Sequence, residues 1–253
     1  MKMLQFATVF FLATLSGFTQ DNIFHSTPAW SGAYSADLKT RYLGSTVCAD
    51  FANQGVVQQE LDVTRNLDGG KTAVTASVWN SSGFTRGFTT FAYETDFDLN
   101  VSHQFGKWTV GAGTWLFFLN PKAGFDVSVL DAKASRTFSD GTNSVTPFVE
   151  VQRYGLTNRV ANHGGTYPML GFFYSRKLAK RFAIVSQFHA NYDANGGFGY
   201  RSGKTLGYAD AGLQLKLADS FSITLPRVGY GGSFNDSARP GRFVWSMGIA
   251  KTF

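Results

Sequence analysis

The stretch that decides the fold is the end of the chain, Gly241–Phe253, which reads Gly-Arg-Phe-Val-Trp-Ser-Met-Gly-Ile-Ala-Lys-Thr-Phe. Large apolar residues stand at nearly every second position, namely Phe243, Trp245, Met247, Ile249 and Phe253. The positions between them are small or polar, apart from Val244. Because side chains of a strand alternate between two faces, this period of two predicts a β-strand with one apolar face.

The same alternation recurs along the chain and predicts about twelve strands. The predicted spans are 32–43, 56–66, 71–80, 93–104, 107–117, 124–137, 144–154, 167–176, 181–192, 205–217, 221–231 and 241–253. Each is close to the nine to eleven residues that a tilted membrane strand needs. The sixth and eighth spans have a poor alternation, and Pro226 is expected to interrupt the eleventh at a bulge.

The connections between these spans sort by parity. Those after even-numbered spans are short, whereas most of those after odd-numbered spans are longer and rich in Gly, Ser and Asn. Membrane barrels have short periplasmic turns and longer external loops, and an even number of strands puts both termini on one side. The sequence therefore predicts an all-β fold, an antiparallel up-and-down transmembrane β-barrel of about twelve strands.

The amino terminus predicts export. Lys2 precedes an apolar run, Met3–Leu15, which is followed by Ser16 and Gly17. A charged start, a short apolar run and small residues are typical of a secretory signal peptide, and the run is too short to span a bilayer as a helix. We expect a signal peptide over 1–17, a periplasmic leader over 18–29 and an outer-membrane barrel over 30–253.

Composition supports this class and argues against others. The 253 residues include 25 Phe and 28 Gly, and only 16% are charged, which is unusual for a soluble protein. The net charge is +6, but the chain has no basic run of the kind that indicates nucleic acid binding. A mean hydropathy of −0.10 argues against a helical membrane protein but suits alternating strands. Cys48 is the one cysteine, and the four histidines are scattered, so neither a disulfide nor a metal site is predicted, and no cofactor is expected.

Two resemblances follow from these motifs. The ending of the chain resembles the carboxy-terminal signal of bacterial outer-membrane barrels, which implies recognition by the barrel assembly machinery through the strand that ends at Phe253. That ending, together with Gln54–Gln58 and the Tyr93–Val101 strand, resembles the Tor-type putative porin family of Gram-negative bacteria. The resemblance would cover most of the mature chain, and it implies a barrel with a pore and leaves the solute open.

Alternation also assigns side chains to the lumen. The candidate pore-lining residues are Asp37, Lys39, Arg41, Glu60, Asp62, Glu94, Asp96, Asp98, Lys216 and Arg242. Arg41 and Arg242 are expected to adjoin across the seam between the first and last strands, near the external mouth, with Glu60 and Glu94 at similar heights. Opposed charges across a narrow passage select solutes, but the same charges could pair and close the lumen.

Three functions remain open at this point. The first is an outer-membrane porin-like channel that passes small hydrophilic solutes by diffusion; the second is a closed structural or adhesive barrel. The third is a barrel lipid hydrolase, which needs His, Ser and Asn on the outer wall; here His189 and Asn191 share an inward phase, whereas Ser186 has the opposite one. We expect no catalytic residues.

Lipid contacts are also expected. Basic residues in the predicted external loops, namely Arg86, Lys122, Arg159, Arg201, Lys204 and Arg239, suit contact with lipopolysaccharide phosphates. Trp30, Trp108 and Trp245 suit the aromatic girdles that contact outer-membrane lipids.

Overall fold

The structure is a computed structural model that describes residues 29–44, 49–52, 54–84, 93–119, 126–156, 164–194, 203–235, 237 and 241–253. The predicted signal peptide and most of the predicted leader lie outside these residues, as do Cys48, His25, His163 and most of the basic loop residues named above.

Long strands account for almost all of the described residues. They are β1 (Trp30–Lys39), β4 (Val56–Leu67), β5 (Thr72–Gly83), β6 (Glu94–Phe105), β7 (Trp108–Leu119), β8 (Asp126–Ser135), β10 (Asn143–Leu156), β11 (Gly165–Ala179), β12 (Phe182–Asp193), β13 (Lys204–Ala218), β14 (Phe221–Ser233) and β15 (Arg242–Thr252). Shorter elements are a hairpin of β2 (Tyr42–Gly44) and β3 (Ala49–Ala52), the bridge strand β9 (Phe138–Ser139) and one 3-10 turn (Asp68–Gly70). Each of the twelve predicted spans overlaps one long strand, which confirms the predicted strands.

The twelve long strands form one closed ring. Each pairs antiparallel with its neighbour in the chain, β10 pairs with β11, and β1 pairs with β15. The fold is therefore an antiparallel up-and-down transmembrane β-barrel of twelve strands, as predicted. Short turns such as 106–107, 180–181 and 219–220 lie at the end that carries Trp30 and Phe253, which we call the terminus end; the other end is the loop end.

The seam between first and last strand is closed by regular pairing. The register runs from Ala33 opposite Thr252 to Lys39 opposite Ser246. At the terminus end, the Gly32 amide donates to the Phe253 carbonyl at 2.8 Å and the Phe253 amide donates back at 3.0 Å. The Phe253 ring occupies the space above Gly32, where a Cβ atom would clash with the ring. The last residue therefore completes the barrel wall.

The outer wall is apolar over its whole circumference. Exposed large side chains occur on nearly every strand, among them Leu61, Phe97, Leu99, Leu130, Val149, Leu170, Phe243, Trp245 and Met247. An apolar surface of this extent is stable only when lipid covers it, since a soluble monomer exposes patches of a few hundred Å². Among the described residues, no helix is long and apolar enough to cross a membrane.

The predicted irregularity at Pro226 is present. The pairing of β14 with β15 shifts register between Thr224 and Arg227, and the pairing of β14 with β13 shifts between Gly212 and Gln214. Proline has no amide hydrogen for the ladder, so a bulge accommodates it. The bulge changes the phase of the strand and turns Arg227 toward the lumen, where it meets Asp210.

One short turn at the terminus end is organised by a carboxylate. Asp140 accepts hydrogen bonds from the amides of Thr142 at 2.9 Å and Asn143 at 2.6 Å, and from the Asn143 side chain at 2.9 Å. Gly141 has a φ of +85°, a conformation that favours glycine. The hydrogen bonds from Asn143 and Thr142 lower the pKa of Asp140 to about 2.

Candidate functional site in the barrel lumen

The interior of the barrel is polar and too wide for short side chains to fill. Twelve strands about 4.8 Å apart, tilted by about 40°, close into a ring roughly 24 Å across between opposing backbones. Side chains from both walls occupy part of this width, and many of them are buried. Near the terminus end the inward positions are mainly small and polar, among them Thr64, Thr75, Asn100, Ser102, Ser144, Ser175 and Ser222.

The predicted pore-lining residues lie on the inward face of the wall. Lys39, Glu60, Asp62, Glu94 and Asp96 are buried, while Asp37 and Asp98 are partly buried on the same inward-facing rows. Their neighbours along each strand, such as Leu38, Leu61 and Phe97, are exposed on the outer wall. These seven residues therefore share the inward face, and their role in lining a pore stays a prediction.

The remaining three predicted residues lie at the two mouths. Arg242 begins β15 and Arg41 follows β1 by two residues, so both lie at the loop end, and both are partly buried. The seam continues beyond β1, since the Thr40 amide donates to the Trp245 carbonyl at 2.9 Å. Lys216 lies at the terminus end, where it forms an ion pair with Asp219 at 3.2 Å.

The pairing register gives the ladder rows of the acidic residues. Glu60 pairs opposite Trp79, and Trp79 pairs opposite Asp96, so these three share one row of the ladder. Glu94 lies one row nearer the loop end, in the row of Gln58 and Ser81. Because the strands are tilted, a ladder row does not run at one height, and the expected similar height of Glu60 and Glu94 stays a prediction.

A first ion-paired group joins β12, β13 and β14. The Arg227 guanidinium forms an ion pair with the Asp210 carboxylate and donates from Nε to Oδ1 at 2.7 Å, and Gln187 donates to Oδ2 at 2.9 Å. Asp37 and Lys39 of β1 are within electrostatic range of this pair. The group combines opposite charges on one sector of the wall, so much of its field cancels.

A second ion-paired group lies on β8 and β10. Lys133 Nζ lies 3.3 Å from Glu150 Oε2 and 4.4 Å from the centre of the Phe148 ring, a cation–π contact. Glu150 Oε1 accepts from Gln152 at 2.6 Å, and Gln152 accepts from the Tyr154 hydroxyl at 3.1 Å. The network fixes these side chains against the wall.

An apolar sector lines the wall nearer the loop end. We use this name for Trp115, Phe117, Val127, Val129, Tyr154, Tyr167 and Leu206, which form one buried cluster. Its rings meet edge to face, with centroids 6.2 Å apart between Phe117 and Tyr154 and 5.2 Å apart between Tyr154 and Tyr167. The lumen therefore has a charged side and an apolar side at this level.

The arrangement does not form a hydrolase site of the kind considered. His189 is fully buried on the inward face, its ring stacks on Tyr208 with centroids 5.5 Å apart, and Asn191 lies on the same face. Ser186 has the opposite phase and points to the outer wall, as predicted. Within the described ranges, no three His, Cys, Asp or Glu residues converge on a point that could hold a metal ion.

Sequence reasoning missed several lumen residues. Asp131 and Lys133 were missed because β8 carries Val127 and Val129 inside and Leu130 outside, which removes the polar–apolar contrast. Arg227 was missed because the bulge at Pro226 shifts its phase. Two signals in the sequence could have indicated these lumen residues: a charged residue within an otherwise apolar strand, and a charged residue next to a proline in a strand.

Comparisons with known proteins support the fold. The NanC porin is similar in structure, with a TM-score of 0.55 and 10% identity over 86% of this chain and 98% of that one. The translocator domain of the autotransporter NalP from Neisseria meningitidis has a TM-score of 0.50 and 13% identity over 95% of this chain and 94% of that one. No protein-family model and no curated protein matches the chain, so the Tor-type resemblance stays a prediction. At identities of this size the structural similarity shows the fold, a closed β-barrel, and nothing finer.

Proposed function

We propose that this protein is a porin-like channel in the outer membrane of a Gram-negative bacterium, through which small hydrophilic solutes diffuse. The observation that carries the proposal is the combination of a closed twelve-strand ring with a charged and polar interior and an apolar outer wall. An interior that only stabilised the fold would be better served by apolar packing, because buried charges are costly to desolvate.

The width of the ring supports a passage. An eight-stranded barrel is just filled by its own side chains, whereas a ring of twelve encloses a wider interior, between that size and the open sixteen-stranded porins. The small polar side chains near the terminus end leave that half wide. The apolar sector and the charged side chains narrow the other half, so the proposed solutes are small.

The burial of lumen charges favours the second candidate, a closed structural or adhesive barrel. Arg227 with Asp210 and Lys133 with Glu150 are paired across neighbouring strands, as the side chains of a plugged lumen would be. These pairs lie along the wall between adjacent strands, however, and wall pairs also occur in an open barrel. Transport of a solute separates the two candidates.

Catalysis is not part of the proposal. The inward burial of His189 keeps it from lipid ester bonds at the outer wall, and no cofactor is required by diffusion. One of the similar structures, NanC, is a porin, which agrees with the proposal.

The proposed partners follow from the same geometry. Outer-membrane lipids cover the apolar wall, and lipopolysaccharide phosphates suit the basic loop residues. The barrel assembly machinery would recognise β15 and its final Phe253, after a secretory signal peptide has directed export.

Liposome swelling tests the proposal. Purified, folded protein is placed in phosphatidylcholine vesicles loaded with a large polymer, and swelling is followed after dilution into isosmotic solutions of small and large sugars. The proposal predicts swelling with a monosaccharide and a much slower rate with a trisaccharide. Vesicles that swell no faster than protein-free ones in every sugar would indicate the closed barrel.

A further inference from the structure

The lumen wall formed by β4, β5, β6 and β7 carries charge of one sign. Among the described residues of these four strands, the inward face holds five carboxylates and no Lys, Arg or His. Asp131 of β8 adds a sixth. We call this set the carboxylate strip; its members are Glu60, Asp62, Glu94, Asp96, Asp98 and Asp131. The chain as a whole has a net charge of +6, so the strip is a local feature.

The strip runs along the passage. On β6, the residues Asp98, Asp96 and Glu94 occupy successive inward positions, each about 6.6 Å further toward the loop end. Glu60 on β4 lies in the row of Asp96, with Trp79 between them. A solute that moves through the lumen would therefore meet carboxylates at several successive levels.

Asp131 joins the strip because the intervening strand lacks a side chain at that level. A Cβ atom at Gly113 of β7 would lie 2.6 Å from Asp131 Oδ1 and 2.9 Å from Asn100 Nδ2. The Asp131 carboxylate thus leans over β7 toward β6. It is 5% exposed, and neither of its oxygens accepts a hydrogen bond from another residue that the structure describes.

A second side chain in the same region also lacks hydrogen bonds. Gln58 of β4 is 3% exposed, and neither its amide nitrogen nor its oxygen has a partner among the described residues. Its row contains Glu94. Buried polar atoms in folded proteins are almost always hydrogen-bonded, so an unpaired carboxylate and an unpaired amide beside one strip indicate a ligand that is polar and positively charged.

We infer that the carboxylate strip makes the channel selective for small cationic solutes. As these solutes pass, their positive charge balances the negative charge of the carboxylates. This inference rests on the proposed channel function and names the solute class. The strip is not a chelating metal site, because no three ligands converge within the described ranges. Successive carboxylates in a passage of low dielectric instead attract cations and hold each one weakly enough to let it move on.

The two ion-paired groups do not neutralise the negative charge of the carboxylate strip. Arg227 is bonded to Asp210 and Lys133 to Glu150, each on its own sector. Paired charges have a short reach, whereas like charges on adjacent strands add. The net field of the described wall therefore attracts cations toward β4–β7.

The test is the reversal potential in planar bilayers under a KCl gradient. Wild-type protein is expected to prefer K⁺ over Cl⁻. In the triple variant E94Q/D96N/D98N the permeability ratio of K⁺ to Cl⁻ should fall roughly threefold or more at 0.1 M salt, where a Debye length of about 10 Å leaves the carboxylates weakly screened. The matched control D210N/R227M removes one charge of each sign from β13 and β14, across the ring from β6, and should leave the ratio unchanged.

The single variant Asp131→Asn keeps the inference testable if the triple variant misfolds. The mobility of unheated samples on gels verifies that each protein is folded. Asp131→Asn should lower the ratio in the same direction by a smaller factor. Conducting channels that prefer Cl⁻, or that keep an unchanged ratio in both strip variants, would overturn the inference and leave the channel function standing. Absence of conductance in every folded protein would overturn the channel function and the inference with it.

Discussion

At the scale of single residues, the lumen charges differ in how strongly they are held. Arg227 is bonded to the buried Asp210 within the wall, whereas Arg41 and Arg242 are only partly buried and lie at the loop end. A charge at the mouth acts on an ion as it enters, and its effect depends on salt. The two mouth arginines are therefore the residues by which the field at the entrance can be changed with least disturbance to the wall.

Replacing both arginines with serine, Arg41→Ser with Arg242→Ser, should shift selectivity toward cations. The carboxylate strip is then less opposed near the mouth, so the reversal potential in a KCl gradient should move toward the K⁺ equilibrium potential. The shift should be large at 0.1 M salt and small at 1 M, where the Debye length falls to about 3 Å. Folding should be nearly unchanged because hydroxyl groups tolerate a wet surface.

A matched control replaces two basic residues at the terminus end, Arg181→Ser with Lys180→Ser, which lie in an exposed turn. This control keeps the total charge change and moves it to the other mouth. If the reversal potential and conductance of R41S/R242S equal those of wild type, the arginines do not face the passage.

The turn carboxylate Asp140 should contribute stability that depends on pH. Its pKa is about 2 in the folded protein against an ordinary value of 3.8, because Asn143 and Thr142 donate to the charged form. A depressed pKa stabilises the fold above pH 3.8, and that stability is lost as pH falls toward 2. Asp140→Ala should therefore lower the urea midpoint of unfolding at pH 7 and have little effect near pH 2.

The comparison variant for Asp140 is Asp219→Ala, which removes a fully exposed turn carboxylate with one ion pair to Lys216. An exposed ion pair contributes little, so its midpoint should stay close to that of wild type. An Asp140→Ala midpoint that differs from wild type by the same amount at both pH values would rule out a role for the ionised carboxylate.

At the scale of elements, the strands with the sharpest alternation were the easiest to predict. In β6, Asp96 and Asp98 face the lumen while Phe97 and Leu99 face outward, so both fold and candidate site could be read from the sequence. In β8 the inward face carries Val129 of the apolar sector, so inward and outward residues are both apolar. The polar–apolar contrast that shows which residues face the lumen is therefore lost. Sequence thus identified the strands but could not identify an apolar patch inside the barrel.

The pairing register between strands was the second feature that the sequence could not predict. The height of Glu94 relative to Glu60 depends on how β4, β5 and β6 are staggered, which turn lengths and hydrogen bonds determine. Alternation defines the face of a residue but contains no information on stagger. The ion pair of Arg227 with Asp210 was hidden for a related reason, since the bulge shifts one strand against its neighbours.

Deletion of Phe253 should weaken the closing element of the ring. The deletion removes the two hydrogen bonds with Gly32 and the ring that covers it, and it shortens the apolar row of β15. The amount of folded, heat-modifiable protein in the outer membrane should fall severalfold, while cleavage of the signal peptide continues. Immunoblots of fractionated cells with and without heating measure both quantities.

The control for this deletion is Phe253→Tyr, which keeps an aromatic ring and both backbone hydrogen bonds. It should insert at close to the wild-type level. Normal amounts of folded protein after deletion of Phe253 would contradict the role of the last residue in closing and inserting the barrel.

At the scale of the whole molecule, closure of the sheet explains its expected behaviour in detergent. Every long strand is paired on both edges, so no edge is available for solvent or for another chain. We expect β-type circular dichroism and a gel mobility that changes on boiling, because the closed ring survives detergent until heated. A predominantly helical spectrum would contradict the fold.

The same closure leaves a lumen with an apolar sector, two ion-paired groups and a carboxylate strip around one passage. This arrangement is consistent with solutes that pass between these parts of the wall. The apolar sector would narrow the lumen, and the carboxylate strip would select solutes by their charge. A barrel without transport would bury Asp131 and Gln58 without a hydrogen bond to any other residue that the structure describes, at no gain in stability.

The most direct test of this account is single-channel recording of the folded protein in a planar lipid bilayer at neutral pH in 1 M KCl. We predict discrete, stepwise conductance that heat-unfolded protein from the same preparation lacks. Verified folded protein that inserts into the bilayer yet gives no current steps over the voltages applied would contradict the account and identify a closed barrel.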